Sequence, residues 1–132
     1  MSEPAQSVPE GTLTLQTVAM PADTNAGGDI FGGWVVSQMD LAAGTTAAQR
    51  AQGRAATVGI EAMRFHAPVL VGDLFSVYTR ITRTGRTSMT MHVEAWVRRQ
   101  RTSEQLMVTE GDFTFVAIAD SGVTRPLPPE EP

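Results

Sequence analysis

Cysteine and lysine are both absent from this 132-residue chain. The first absence removes disulfides, thiolate metal sites and cysteine nucleophiles, and it fits a reducing compartment. The second removes Schiff-base chemistry and the lysine of a phosphate-binding P-loop; all ten basic residues are arginine. Aromatic residues make up only 6% of the chain and the formal net charge is −4, which argues against nucleic acid as the main partner. A local arginine patch for a phosphorylated small molecule is still compatible with that balance. No apolar run approaches the roughly 18 residues a membrane-spanning helix needs. The opening MSEPAQSVPEGT lacks the basic start and apolar core of a secretory signal, so the cytoplasm is the expected location. The two histidines stand in no HExxH pattern and the serines in no GxSxG pattern, which speaks against a metal site and against a serine triad.

With 42% apolar and 18% charged residues, the chain has the composition of one globular domain able to bury its own core. Polar, proline-containing ends predict a flexible segment over 1–12 and a loose tail over 121–132, with a single domain over 13–120. Residues 13–20 partly alternate and read as a strand. Proline-free, alanine-rich WVVSQMDLAAGTTAAQRAQ predicts one long helix beginning near Ile30–Gly33 and closed by Gly53. Trp34, Gln38, Leu41 and Thr45 fall on one side of it, and Val35, Met39, Ala42 and Thr46 form the neighbouring stripe. Four strands follow, over 57–65, 74–84, 89–97 and 106–119, with turns at Val71-Gly72-Asp73 and Gly85-Arg86. In 89–97 the alternation is clean, with Thr90, His92, Glu94 and Trp96 on the polar side. Strand, long helix, then four strands in short succession is an α+β pattern. Its simplest solution is a curved antiparallel sheet wrapped around the helix, with edges that invite a second subunit.

The stretch NAGGDIFGGWVVSQMD (25–40) carries the chemistry. Asp40 is the only charged residue between Ile30 and Gln49, and no arginine lies three or four residues away to pair with it. A carboxylate so placed faces a cavity or an interface, or pairs with an arginine from another strand; the pattern allows both. Gly32 and Gly33 fall where the first helical amides point outward without internal partners. Backbone amides bare of side chains can meet a carbonyl oxygen or a phosphate, although a tight loop-to-helix turn also uses glycine. Asn25 in the preceding loop can donate to a carbonyl or simply form a turn. Around the 82–89 turn, Arg86 with Thr87 and Ser88 has the groups to grip a phosphate, and a solvated arginine turn is the simpler reading.

The stretch MPADTNAGGDIFGGWVVSQMDLAAG, continued through RAATVGIEAMRFHAPVLVGDLFSVY, GRTSM, VEAWVRR and GDFTFVAI, resembles the YciA-like acyl-CoA thioesterases of the hotdog superfamily. The resemblance spans about Leu13–Ala119. It implies a hotdog fold, a long helix wrapped by an antiparallel sheet of about five strands. It also implies hydrolysis of acyl-CoA to free CoA and a carboxylic acid, with no cofactor beyond the CoA of the substrate. Active sites would lie at the interface of a homodimer, often assembled further as a trimer of dimers. By the family's QMD motif Asp40 is the catalytic carboxylate, and by its NxxG motif Asn25 is the loop asparagine. Gly33, with Gly32 beside it, would supply helix-start amides, and Arg86, Thr87 and Ser88 match a CoA-contacting segment. Departures are Gly28 where relatives carry asparagine, Ala42-Ala43 where they carry glycines, and His66 where an aliphatic residue is usual; these bear on acyl-chain preference. The rival readings are a non-catalytic acyl-CoA binding or sensing domain and an enoyl-CoA hydratase, the latter disfavoured because no histidine lies near Asp40 in sequence.

Overall fold

The computed structural model describes residues 6–130. One helix, α1 (Gly32–Ala51), lies against five strands: β1 (Thr12–Val18), β2 (Ala55–Phe65), β3 (Leu74–Thr84), β4 (Ser88–Arg98) and β5 (Gln105–Ala117). A short 3-10 turn, Pro21–Asp23, precedes the helix. The strands form one antiparallel sheet in the order β1-β3-β4-β5-β2, and α1 touches every strand. This is the hotdog arrangement, with the sheet left open at β1 and β2. No helix among the described residues is long and apolar enough to cross a membrane.

The core lies between helix and sheet. From α1 it takes Val35, Met39, Ala42, Ala43, Ala47 and Ala51, and from the facing strands Phe75, Val77, Met89, Met91, Val93, Phe113 and Phe115. Alanines on the helix let the sheet come close, and the larger strand side chains fill the gap. Of the two stripes read from the sequence, the one through Val35, Met39 and Ala42 is buried core, and from the other only Trp34 packs against it, its ring 4.9 Å from that of Phe75. Leu41 on the other is 60% exposed. The helix closes with Gln52 in the left-handed conformation, its amide bonded to the carbonyls of Ala48 and Gln49; Gly53 follows and donates to Ala48 O at 3.1 Å.

Three boundaries differ from the sequence reading by two residues. β1 ends at Val18 because Pro21 opens the 3-10 turn. β2 begins two residues early, at Ala55, which pairs with Ala117. β5 ends at Ala117, where residues 118–125 turn back. The polar side of β4 is also not solvated throughout: Glu94 and Trp96 are buried. The N-terminal segment crosses over them. Glu94 accepts from Trp96 Nε1 (2.9 Å), Gln6 Nε2 (3.0 Å) and the Glu10 amide (3.1 Å), which satisfies a carboxylate that would otherwise be costly to bury.

The C-terminal segment, expected to be loose, makes definite contacts. Arg125 donates to the carbonyls of Ala51 and Ile118, Arg50 to that of Pro128, and the Leu127 amide to Arg86 O. Residues 1–5 and 131–132 of the two expected flexible ends lie outside the described residues.

Edge strand β2 is irregular. Its pairing with β5 shifts between Thr57 and Gly59 and again between Glu61 and Arg64, and Ala62 has φ +55°. Val58 and Ile60 are exposed on it, at 60% and 40%.

Candidate active site

The loop before α1 is built by Asn25. Its side-chain oxygen accepts from the amides of Gly27 (2.9 Å) and Asp29 (3.2 Å), and its own amide donates to Asp29 O. Gly28, at φ +88°, takes the left-handed step that such a loop needs. Asn25 is thus a turn former through its oxygen, while its two Nδ2 hydrogens make no hydrogen bond among the described residues. The bland and the functional readings use opposite ends of one side chain.

The loop delivers the chain to Gly32 with the Phe31 amide bonded to Asp23 O and the Ile30 amide to Val69 O. Phe31, the residue before the helix, offers no side-chain cap, so the first-turn amides stay without a partner among the described residues. Neither Gly32 nor Gly33 has a positive φ. A β-carbon at Gly33 would meet nothing within 4 Å, and one at Gly32 would touch only the Phe65 ring at ordinary contact distance. Geometry within the chain therefore does not require these two glycines. What they keep open is the approach to bare amides from outside.

Beside Gly32 lies a groove of about 340 Å³, walled by Ile30, Val35, Phe65, Ala67, Val69 and Thr109. The loop after β2 forms one wall. It is fixed by the PVLVGD turn: Gly72 sits at φ +91°, and the buried Asp73 carboxylate accepts the Leu70 amide (2.8 Å) and pairs with Arg99.

Asp40 is half-buried on α1 and forms no ion pair among the described residues. Its partner is a hydroxyl: Thr57 Oγ1, from the start of β2, donates to Asp40 Oδ1 at 2.7 Å. Sequence reasoning missed Thr57, which looks like any alternating threonine of a strand and lies 17 residues away. Asp40 stands seven residues past Gly33, two helical turns on the same face and roughly 10 Å along the axis.

Arg86, Thr87 and Ser88 occupy the β3–β4 turn, closed by the Gly85 amide on Ser88 O (2.8 Å). That turn is bonded to residues 117 and 127, which reach the C-terminal end of α1 through Arg125 and Arg50. Within one chain it lies at the opposite end of the helix from Gly32 and Gly33. Of the two histidines, His66 lines the groove beside Gly32 and His92 does not. His92 faces Glu94, Glu110 and Asp112, and His66 pairs with Glu110 at 2.8 Å.

Comparison with known proteins agrees with this architecture. The family model described as the thioesterase superfamily matches residues 27–104. The chain is 45% identical over 125 residues to the acyl-CoA thioester hydrolase YciA of Salmonella typhimurium, covering 92% of this chain and 94% of that protein. It is equally identical over 127 residues to YciA of Escherichia coli K12, covering 94% and 96%. Among solved structures, the hexameric thioesterase of Yersinia pestis superposes with a TM-score of 0.89 at 47% identity, over 93% of this chain and all of that one. HI0827, a hexameric broad-specificity acyl-coenzyme A thioesterase, superposes with the same score at 43% identity, over 94% and 86%. The chain belongs to the thioesterase superfamily, in its YciA-like, hotdog-fold branch.

Proposed function

We propose that this protein hydrolyses acyl-CoA thioesters to free CoA and a carboxylic acid, in sites assembled between two copies of the chain. The observation that carries this is the spacing along α1: open helix-start amides at Gly32–Gly33 and a threonine-held carboxylate at Asp40, on one face but too far apart to act on the same carbonyl. A second subunit running antiparallel brings its Asp40 to the first subunit's Gly33. Exposed Leu41 beside that face and Val58 and Ile60 on the open β2 edge supply the apolar surface for such a pair. Three pairs then make a trimer of dimers, in keeping with the hexameric relatives.

In this reading the Gly33 amide and Asn25 Nδ2 donate to the thioester oxygen, and the charge that develops there in the tetrahedral state is met by fixed dipoles. Asp40 takes a proton from water as the hydroxyl adds to the carbonyl carbon, then returns it to the departing CoA sulfur. In the other route Asp40 adds directly, CoA thiolate leaves, and water cleaves the mixed anhydride. Single turnover in isotopic water separates the two, since label in the Asp40 carboxylate marks the anhydride. The apolar groove beside Gly32 takes the acyl chain, and Arg86, Thr87 and Ser88 take the phosphates of CoA.

The two-chain site is tested by complementation. Asn25→Ala and Asp40→Asn each abolish thiol release from acyl-CoA. Random re-pairing of the two makes half the dimers mixed, each with one intact site of two, so about a quarter of wild-type activity returns. Asp40→Asn at full activity, or no recovery in mixed dimers of demonstrated composition, overturns the reading.

A further inference from the structure

We infer that residues 123–128 act as a positioning strap for the Arg86–Ser88 turn and thereby set affinity for the nucleotide end of the substrate. This rests on the proposed acyl-CoA reading of that turn.

The β3–β4 turn closes on itself through Gly85 and Ser88, yet two further segments hold its backbone. The Ala117 amide donates to Thr87 O and the Leu127 amide to Arg86 O, both at 2.9 Å. Leu127 is anchored on either side. Ahead of it, the Arg125 amide bonds to Ala117 O (2.9 Å), and its guanidinium reaches Ile118 O (3.2 Å) and Ala51 O (2.9 Å). After it, Pro128 O accepts from Arg50 Nη1 at 2.6 Å. Leu127 itself packs against the core. Prolines at 126, 128 and 129 restrict the backbone, so little entropy opposes this extended course.

The division of labour among the arginines is what points to a ligand. Arg50, Arg54 and Arg125 donate to backbone carbonyls. The Arg86 side chain is exposed and makes no hydrogen bond or ion pair among the described residues, while its own carbonyl is the atom the strap grips. A fixed backbone carrying a free guanidinium is what recognition of a phosphate needs. None of these four arginines is paired with a carboxylate among the described residues, so their charge adds at this end of the molecule.

The test compares an acyl-CoA with the matching acyl-pantetheine, which lacks the nucleotide. A chain ending at Pro126 keeps the Arg125 anchors and loses the Leu127 bond. Arg50→Leu removes the Pro128 anchor together with one charge, so the shortened chain, which keeps all four arginines, tells the strap from charge alone. Both are expected to raise KM for acyl-CoA about fivefold to tenfold, the scale of one misplaced charge-assisted hydrogen bond. Turnover and KM for acyl-pantetheine stay unchanged, which also shows that the variants are folded. Unchanged KM for acyl-CoA in the shortened chain, or an equal rise for both esters, overturns the strap. Arg86→Met separates this failure from that of the underlying reading. If it raises KM for acyl-CoA alone while the strap variants do nothing, only the strap falls. If it affects both esters alike, the turn does not contact the nucleotide and both ideas fall.

Discussion

Thr57 Oγ1 donates a hydrogen bond to Asp40 Oδ1 at 2.7 Å. The contact joins the middle of α1 to the first residues of β2 and occupies one lone pair of the carboxylate, while Oδ2 makes no hydrogen bond among the described residues. It also keeps Asp40 in one orientation without a cation beside it, so the carboxylate is not neutralised by an ion pair.

Thr57→Val keeps the shape of the side chain and removes the donor. Thiol release from acyl-CoA is expected to fall roughly tenfold or more in kcat, as for a lost bond to a charged group, with KM nearly constant. Thr57→Ser restores most of the rate. A valine variant at wild-type kcat excludes a part for this hydroxyl in turnover.

Gly33→Ala separates stability from activity. A β-carbon there meets nothing within 4 Å in its own chain, and alanine favours the helix by up to about 1 kcal/mol over glycine. The melting temperature should hold or rise. The added methyl would stand before the first-turn amides, so kcat should fall on the order of tenfold to a hundredfold, within the range seen for loss of an oxyanion donor. Thermal melts beside thiol release decide it, and retention of full activity would remove Gly33 from the site.

Asp73→Ala bears on the scaffold. The buried carboxylate holds the Leu70 amide and Arg99, and its loss leaves the Leu70 amide unpaired and Arg99 with only Pro68 O. Urea unfolding should show destabilisation of about 3 kcal/mol. Because Val69 O of the same loop accepts the Ile30 amide at 3.1 Å, slackening there also reaches the groove wall. A midpoint equal to wild type would mean that Gly72 alone sets the turn.

Much of this was legible in the chain. The helix announces itself by alanine content and the absence of proline, and β3 and β4 by alternation between short turns. What stayed hidden depends on residues far apart in sequence. Nothing local marks Glu94 as buried, because the residues that cover it, Gln6 and Glu10, lie 88 and 84 positions away. Nothing local marks Thr57 as the partner of Asp40, because the approach is set by how β2 lies along α1. Asn25 shows a different limit: its oxygen builds the loop while its nitrogen has no partner among the described residues, and a residue letter cannot divide the two. The stripe through Trp34, Gln38, Leu41 and Thr45 has helical spacing, but spacing does not say which of two adjacent stripes meets the sheet. The alanines on the other stripe settle that by letting the strands come closer.

An open strand edge invites further strands without limit, and β2 is such an edge. Its two register shifts and the left-handed Ala62 break it into short runs, with no straight ladder along its full length. A neighbouring copy can match those runs in few alignments, and continuing them from molecule to molecule would require the same kink to repeat in phase. The irregularity that weakens β2 as a strand therefore favours a finite assembly over a fibre.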